Sequence, residues 1–85
     1  MIQTVVKRDG RIVGFNQEKI VSAIRMAMMH TEKGEDMSLI SQIADRISFK
    51  GNPQMTVEAI QDMVEIELMK SSRKDVAQKY IAYRN

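Results

Sequence analysis

The sequence predicts an α+β domain that is mainly helical, with an N-terminal β-hairpin lying as a lid on a bundle of about four helices. An Asp-Gly pair separates two short runs of β-forming residues near the N-terminus. Four later segments repeat their apolar residues with helical spacing. The chain has 85 residues, a length typical of one small domain.

The hairpin is predicted from the segment QTVVKRDGRIVGF, with strands near residues 3–8 and 11–15. Asp9-Gly10 fits a two-residue type I′ turn, in which both central residues need positive φ. Gly14 lies inside the second strand, where glycine marks a bulge or a close approach of another group to the backbone. Because a lone two-stranded hairpin is marginal in water, it must pack across the helices, and a further short strand could complete the sheet.

The first two helices are predicted from their caps and apolar stripes. Asn16 is a suitable N-cap for a helix that ends between His30 and Gly34, where Gly34 supplies a left-handed residue. The second helix is expected to begin near Asp36 or Ser38 and to end before the break at Gly51-Asn52-Pro53. Their predicted core residues are Ile20, Ala23, Ile24, Ala27 and Met28, followed by Leu39, Ile40, Ile43, Ala44 and Ile47.

The third and fourth helices follow that break. Thr56 is the expected N-cap of the third, and Glu58 in its first turn suits the positive end of the helix dipole. The spacing from Ser72 to Asp75 is that of a capping box, which predicts Ser72 as the cap of the fourth helix. Their predicted core residues are Ile60, Met63, Val64 and Leu68, followed by Val76, Ala77, Tyr80 and Ile81. The helical pattern continues to Asn85, as expected of a piece cut from a longer polypeptide.

Composition argues against several classes of function. The chain has no cysteine, which excludes disulfides, thiolate chemistry and cysteine-based zinc sites, and its one histidine, His30, is expected to be solvated. The net charge of +2, from 13 basic and 11 acidic residues, is too balanced for a dedicated nucleic-acid binder. No apolar run approaches the roughly 20 residues of a membrane span. The N-terminus lacks a signal-peptide core, so a cytoplasmic location without membrane contact is expected.

Basic and apolar residues around the predicted hairpin form the candidate site. Lys7 shares a strand face with Val5. Lys19 falls in the first turn of the first helix, beside amides expected to have no helical partner. Ammonium groups and free amides beneath a hairpin suit a polyphosphate, and Val5, Phe15 and Ile20 could form the walls around a base.

A simpler interpretation of the same residues is a solvated turn. The basic residues would then only balance Asp9 and Glu18. Neither the Walker loop GxxxxGK[ST] nor the dinucleotide motif GxGxxG is present, so neither common phosphate-binding loop applies. The spacing alone favours this simpler interpretation.

The segment VVKRDGRIVGFNQEKIVSAI resembles the opening signature of the ATP-cone family, in which V-x-K-R-D-G precedes F-[DN]-x-x-K-I. MTVEAIQDMVEIEL and DVAQKYIAYR resemble the third and fourth helices of that family, so the resemblance spans Val5 to Arg84. The tail DVAQKYIAYRN is most similar to the cone of the anaerobic, glycyl-radical ribonucleoside-triphosphate reductases. The resemblance implies that residues 1–85 form an allosteric regulatory domain of such a reductase, binding ATP or dATP beneath the hairpin.

The resemblance also implies roles for individual residues. Lys7 and Lys19 match phosphate ligands, and Thr56 matches a position that contacts the nucleotide, unless it only caps its helix. The other implied nucleotide-binding positions are Val5, Arg8, Phe15, Asn16, Ile20, Ile60 and Gln61. The resemblance implies no catalytic residue, metal site or intrinsic cofactor in this segment, only ATP or dATP as effector, with Mg²⁺ as its possible companion.

Other functions remain open at this point. A nucleotide-sensing transcriptional repressor also carries a cone, but its cysteine-containing zinc ribbon precedes the cone, and this chain has no cysteine. A non-ligand oligomerisation domain could use methionines as an adaptable surface, although most of them are expected to fill the core. The methionines concerned are Met26, Met28, Met29, Met63 and Met69. Nucleic-acid binding would require a steep dependence on salt.

The resemblance sets the expected partners. They are the ATP or dATP effector, the catalytic remainder of the reductase and further copies of the chain in a homo-oligomer. Neither nucleic acid nor membrane is expected among them.

Overall fold

The computed structural model describes residues 1–85 as four α-helices and one three-stranded sheet. The α+β, mainly helical fold with an N-terminal hairpin is thus confirmed. The elements in chain order are β1 (Thr4–Val6), β2 (Ile12–Gly14), α1 (Gln17–Met29), α2 (Met37–Lys50), β3 (Gln54–Thr56), α3 (Val57–Lys70) and α4 (Lys74–Arg84). No helix is long and apolar enough to cross a membrane.

The sheet contains the short third strand that the sequence did not locate. Strand β1 pairs antiparallel with β2, where Val5 lies opposite Val13, and parallel with β3, where Val5 lies opposite Met55. The central position of β1 ties the hairpin to β3, and β3 leads directly into α3. The third strand therefore supplies the support that a two-stranded hairpin lacks.

The hairpin turn is not the predicted type I′ turn. The Lys7 amide donates to the Arg11 carbonyl at 2.8 Å and the Gly10 amide donates to the Lys7 carbonyl at 2.9 Å, so the loop has three residues. Gly10 has a φ of +89°, whereas no residue other than glycine has positive φ. The Asp9 carboxylate accepts from the Arg11 amide at 3.1 Å. This contact favours the three-residue loop with glycine in its left-handed position.

Three of the predicted helix caps are confirmed. The side-chain oxygens of Asn16, Asp36 and Thr56 each accept a hydrogen bond of 3.0 or 3.1 Å from an amide in the first turn of α1, α2 or α3. Gly34 has the predicted left-handed conformation, with a φ of +71°. Helix α1 already ends at Met29, so Gly34 belongs to the loop that follows it.

The predicted capping box of α4 is wrong. Arg73 occupies the N-cap position in place of Ser72 and makes no side-chain capping bond. The neighbouring Ser71 hydroxyl accepts from the Arg73 amide at 3.1 Å and donates to the Leu68 carbonyl at 2.6 Å. Ser71 thereby connects the end of α3 to the start of α4, which leaves Ser72 no capping role.

The core lies between the four helices and the inner side of the sheet. Its 15 buried residues are Ile2, Ile20, Ile24, Ala27, Met28, Ile40, Ile43, Ala44, Ile47, Ile60, Val64, Leu68, Val76, Ala77 and Tyr80. The predicted stripes are confirmed apart from four half-buried members, Ala23, Leu39, Met63 and Ile81, and the stripes did not include Ile2. The expectation that most methionines fill the core is wrong, since Met26, Met29 and Met69 are more than half exposed.

Candidate functional site

A cavity of about 240 Å³ lies between the hairpin, the start of α1 and the inner faces of α3 and α4. Eight of the ten predicted site residues line it: Val5, Lys7, Phe15, Asn16, Lys19, Ile20, Ile60 and Gln61. Six further residues complete its walls: Val13, Gly14, Ala23, Val57, Val64 and Tyr80. The fold thus collects around one cavity residues that are up to 75 positions apart, from Val5 to Tyr80.

The hairpin forms one wall because of its register. Val5 and Lys7 alternate onto the same side of the β1 segment, and Val13 lies directly opposite Val5. The Phe15 amide donates to the Gln3 carbonyl at 2.9 Å, which extends the pairing beyond β2. Gly14 pairs regularly with Thr4, so the predicted bulge is absent, and a Cβ at Gly14 would meet no atom within 4 Å.

Two ammonium groups form the basic part of the site. Lys7 is half-buried and Lys19 is exposed, and neither has an acidic partner within 4.0 Å. The expected free amides beside Lys19 are largely absent, because Asn16 accepts from the Glu18 amide at 3.0 Å and from the Lys19 amide at 3.1 Å. The unpaired lysines, rather than backbone amides, are therefore the groups available to an anion.

Arg8 and Thr56 lie outside the cavity lining. Arg8 Nε donates to Glu58 Oε1 at 2.8 Å, which joins the hairpin tip to the first turn of α3. The backbone amide of Glu58 and the Arg8 guanidinium hold the pKa of the Glu58 carboxyl below its ordinary value. The Thr56 hydroxyl accepts from the Ala59 amide at 3.1 Å, so Thr56 serves as a helix cap in this structure.

The part of the cavity formed by α3 and α4 contains one polar side chain that the sequence analysis placed in the core but not at the site, that of Tyr80. Tyr80, predicted only as a core residue, lines the cavity and is 3% exposed. Burial raises the pKa of its phenol. Helical spacing could have identified Val57 and Val64, which lie three or four residues on either side of Ile60 and Gln61.

The site is therefore a mostly apolar cavity whose lining includes two lysines without acidic partners, Lys7 and Lys19. Residues 3–85 of the chain match the family of the ATP cone domain. The chain belongs to the ATP-cone family.

The cone is similar to segments of several known proteins. It is 43% identical, over 99% of its length, to the vitamin B12-dependent ribonucleoside-diphosphate reductase of Thermoplasma acidophilum. It is 36% identical, over its whole length, to the anaerobic ribonucleoside-triphosphate reductase of Escherichia coli strain K12. It is also 36% identical, over 72% of its length, to the transcriptional repressor NrdR of Methylobacterium nodulans.

The cone spans only a small part of these relatives, 12% of each reductase and 33% of the repressor. The resemblance to anaerobic ribonucleoside-triphosphate reductases is confirmed by these matches. The identity to the vitamin B12-dependent reductase, 43%, is higher than the 36% identity to the anaerobic reductase of Escherichia coli.

The groups within the cone set its possible chemistry. No cluster of three or more His, Asp or Glu side chains is arranged to hold a metal ion. His30 is exposed beyond the end of α1 and does not line the cavity. The cavity lining offers cations, amides and a phenol but no carboxylate, a composition suited to binding an anionic ligand with a flat apolar part.

Proposed function

We propose that this cone is an allosteric module that binds ATP or dATP beneath the hairpin and thereby regulates a ribonucleotide reductase. The observation that carries the proposal is the placement of Lys7 and Lys19, both without acidic partners, on one apolar cavity. The phosphates would lie against the two ammonium groups. The base would enter the slot between Phe15 of the hairpin end and Ile60 of α3.

Coverage of the relatives favours a reductase as the regulated enzyme. The reductases align with 99% or all of the cone, whereas the repressor aligns with 72% of it. An anaerobic ribonucleoside-triphosphate reductase remains our proposed parent, on the basis of the segment DVAQKYIAYRN. Its catalytic remainder and further copies of the chain are the proposed partners, and the cone of a nucleotide-sensing repressor is the alternative.

The cone should bind nucleotide without hydrolysing it. The cavity lining has no carboxylate or histidine that could act as a general base. Any Mg²⁺ would enter with the triphosphate, since the chain gathers no acidic cluster to hold it. Steady release of phosphate in proportion to the protein, abolished by Lys7→Ala, would contradict this proposal.

Calorimetric titration with ATP, dATP and GTP tests the proposal directly. Each lysine should contribute a charge-assisted contact of roughly 1.5–3 kcal/mol. Lys7→Ala and Lys19→Ala should therefore each weaken ATP binding about ten- to a hundredfold. Thermal melts should show that the free energy of unfolding falls by less than about 1 kcal/mol.

Lys50→Ala is the matched control for both variants. Lys50 is exposed at the end of α2 and does not line the cavity, so its removal should leave the affinity unchanged. If Lys7→Ala and Lys19→Ala bind ATP as tightly as the parent protein, the polyphosphate site lies elsewhere.

A further inference from the structure

A second cavity, of about 250 Å³, lies between the end of α1 and the middle of α4. Its lining consists of Met26, Ala27 and the C-cap residue His30 from α1, and of Lys79 and Tyr83 from α4. None of these residues lines the cavity beneath the hairpin. The second cavity is therefore a separate concave site, to which the proposed nucleotide binding assigns no role.

The apolar side chains at the second cavity are open to solvent. Met26 is 52% exposed and Tyr83 is 70% exposed. Met29, one turn after Met26 on α1, is 61% exposed. Methionine adapts its shape to irregular partners, and tyrosine is enriched in protein interfaces. Because Met26 and Tyr83 line one concavity rather than lying apart on the surface, they suit an apolar side chain of a partner protein.

The charge around the second cavity has one sign. Lys79 has no acidic partner within 4.0 Å, and the lining includes no carboxylate. Asp75, one turn before Lys79 on α4, is already bound by Arg73, whose Nε donates to it at 3.1 Å. His30 adds a second group that can donate a hydrogen bond. Charge complementarity therefore favours a partner with carboxylates beside its apolar side chain.

A second copy of the chain and a nucleic acid both fit the second cavity less well. In a two-fold symmetric dimer the same patch faces itself, so the Lys79 side chains of both copies would come together. Like charges placed next to each other disfavour such a contact. A nucleic acid would find only Lys79 and His30 for its phosphates, too few for the basic face that such binding requires.

We propose that the second cavity is a docking site for an acidic segment of a partner protein. An aliphatic side chain of that segment enters the cavity between Met26 and Tyr83, and its carboxylates bind Lys79 and His30. The ligand is thus a peptide in which Glu or Asp flanks a residue such as Leu. Its binding requires no nucleotide, so this proposal stands independently of the proposed function.

A nuclear magnetic resonance titration of the isotope-labelled chain tests the proposal. The probe is the acetylated peptide amide Asp-Glu-Leu-Glu-Asp, and its control is the uncharged peptide Asn-Gln-Leu-Gln-Asn. The acidic peptide should shift the amide resonances of residues 26–30 and 79–83 and leave those of the hairpin unchanged. The uncharged peptide should bind about fivefold more weakly, because it lacks the carboxylates.

Two variants separate the ionic contact from the apolar one. Lys79→Glu should weaken binding of the acidic peptide about fivefold, and Met26→Gln should weaken it about threefold. The matched controls are Lys70→Glu, at an exposed helical lysine, and Met69→Gln, at a methionine that is 51% exposed. Both control residues lie outside the second cavity, so their variants should bind the peptide like the parent protein. Thermal melts should show that all four variants fold.

Several results would overturn the proposal. They are the absence of resonance shifts around the second cavity, equal binding of the two peptides, and equal losses in the test and control variants. A dimer of the parent protein that Met26→Gln dissociates, seen by sedimentation, would assign the cavity to a second copy of the chain instead. Tighter binding of an oligothymidylate than of the acidic peptide would assign it to nucleic acid. Failure of the chain to bind ATP would overturn the proposed function alone.

Discussion

Arg73 is the only charged residue of the cone that is buried, with 8% of its surface exposed. Its guanidinium donates to the Gly34 carbonyl at 2.9 Å, to the Thr31 hydroxyl at 3.1 Å and to the Asp75 carboxylate at 3.1 Å. The Arg73 guanidinium also holds the pKa of Asp75 below its ordinary value. One side chain therefore joins the loop after α1 to the start of α4.

Arg73→Met should destabilise the cone by about 1–3 kcal/mol, because the Gly34 carbonyl and the Thr31 hydroxyl lose a buried partner. In a domain of this size that loss lowers the melting temperature by about 4–8 °C per kcal/mol. Arg25→Met is the control, since the pair of Arg25 with Glu35 is exposed and should contribute less than about 1 kcal/mol. Equal melting temperatures for the two variants would show that the Arg73 contacts add nothing.

At the residue scale, the sequence predicted the cavity better than the contacts within it. Strand alternation indicated Lys7 and helix position indicated Lys19, whereas Gln61 was identified from the family resemblance alone. Arg73 and Tyr80 were not identified, because their roles depend on groups far away in the sequence. Periodicity reports that a tyrosine is buried, but it does not report that the side chain lines a cavity.

At the element scale, the hairpin depends on one glycine. Gly10 has a φ of +89° at the end of the three-residue loop, and a Cβ there would meet nothing within 4 Å. Gly10→Val should therefore cost about 1–2 kcal/mol through backbone strain rather than through a clash. We expect weaker ATP binding with the helical content largely intact, as measured by calorimetry and circular dichroism.

Gly10→Asn is the control for that variant, because asparagine tolerates the left-handed region better than valine does. Gly10→Asn should retain most of the ATP affinity that the Gly10→Val variant loses. If Gly10→Val binds ATP like the parent protein, the hairpin does not form a wall of the binding site.

The helices were predictable because their caps and stripes are local signals, whereas β3 was not. Gln54–Thr56 has only three residues and an exposed, half-buried, exposed burial pattern. It is a strand because β1, 50 positions earlier in the chain, pairs with it. Local sequence patterns cannot predict a pairing over that distance. The predicted type I′ turn was wrong for a related reason. The Asp9 carboxylate accepts a hydrogen bond from the Arg11 amide, and the hairpin loop has three residues instead of two.

At the scale of the whole molecule, three carboxyl groups link stability to pH. Hydrogen bonds from the Arg11 amide and guanidinium lower the pKa of Asp9, as the contacts described above lower those of Glu58 and Asp75. A lowered pKa means that the folded state favours the charged form. The three carboxylates therefore stabilise the folded state fully at a pH above their ordinary pKa values. This stabilisation is lost as the pH falls through their lowered pKa values in the folded state.

We expect the melting temperature to stay nearly constant from about pH 7 to about pH 5 and to fall below about pH 4. The ordinary values are 3.8 for Asp9 and Asp75 and 4.5 for Glu58, which sets the upper limit of the transition. The fall should be modest, because all three groups face solvent. Melts across this range check the prediction, and a melting temperature that rises on acidification would contradict it.

The central position of β1 in the sheet constrains the order in which the cone can assemble. The β1–β2 hairpin and the α1–α2 pair join segments that are neighbours in the chain, whereas the β1–β3 pairing joins Thr4 to Gln54, 50 positions later. Closing that long loop costs entropy before the pairing compensates. The cavity needs both the hairpin and α3, so it is complete only when assembly is nearly finished. A nucleotide held there would act late, prolonging the lifetime of the folded domain more than hastening its formation.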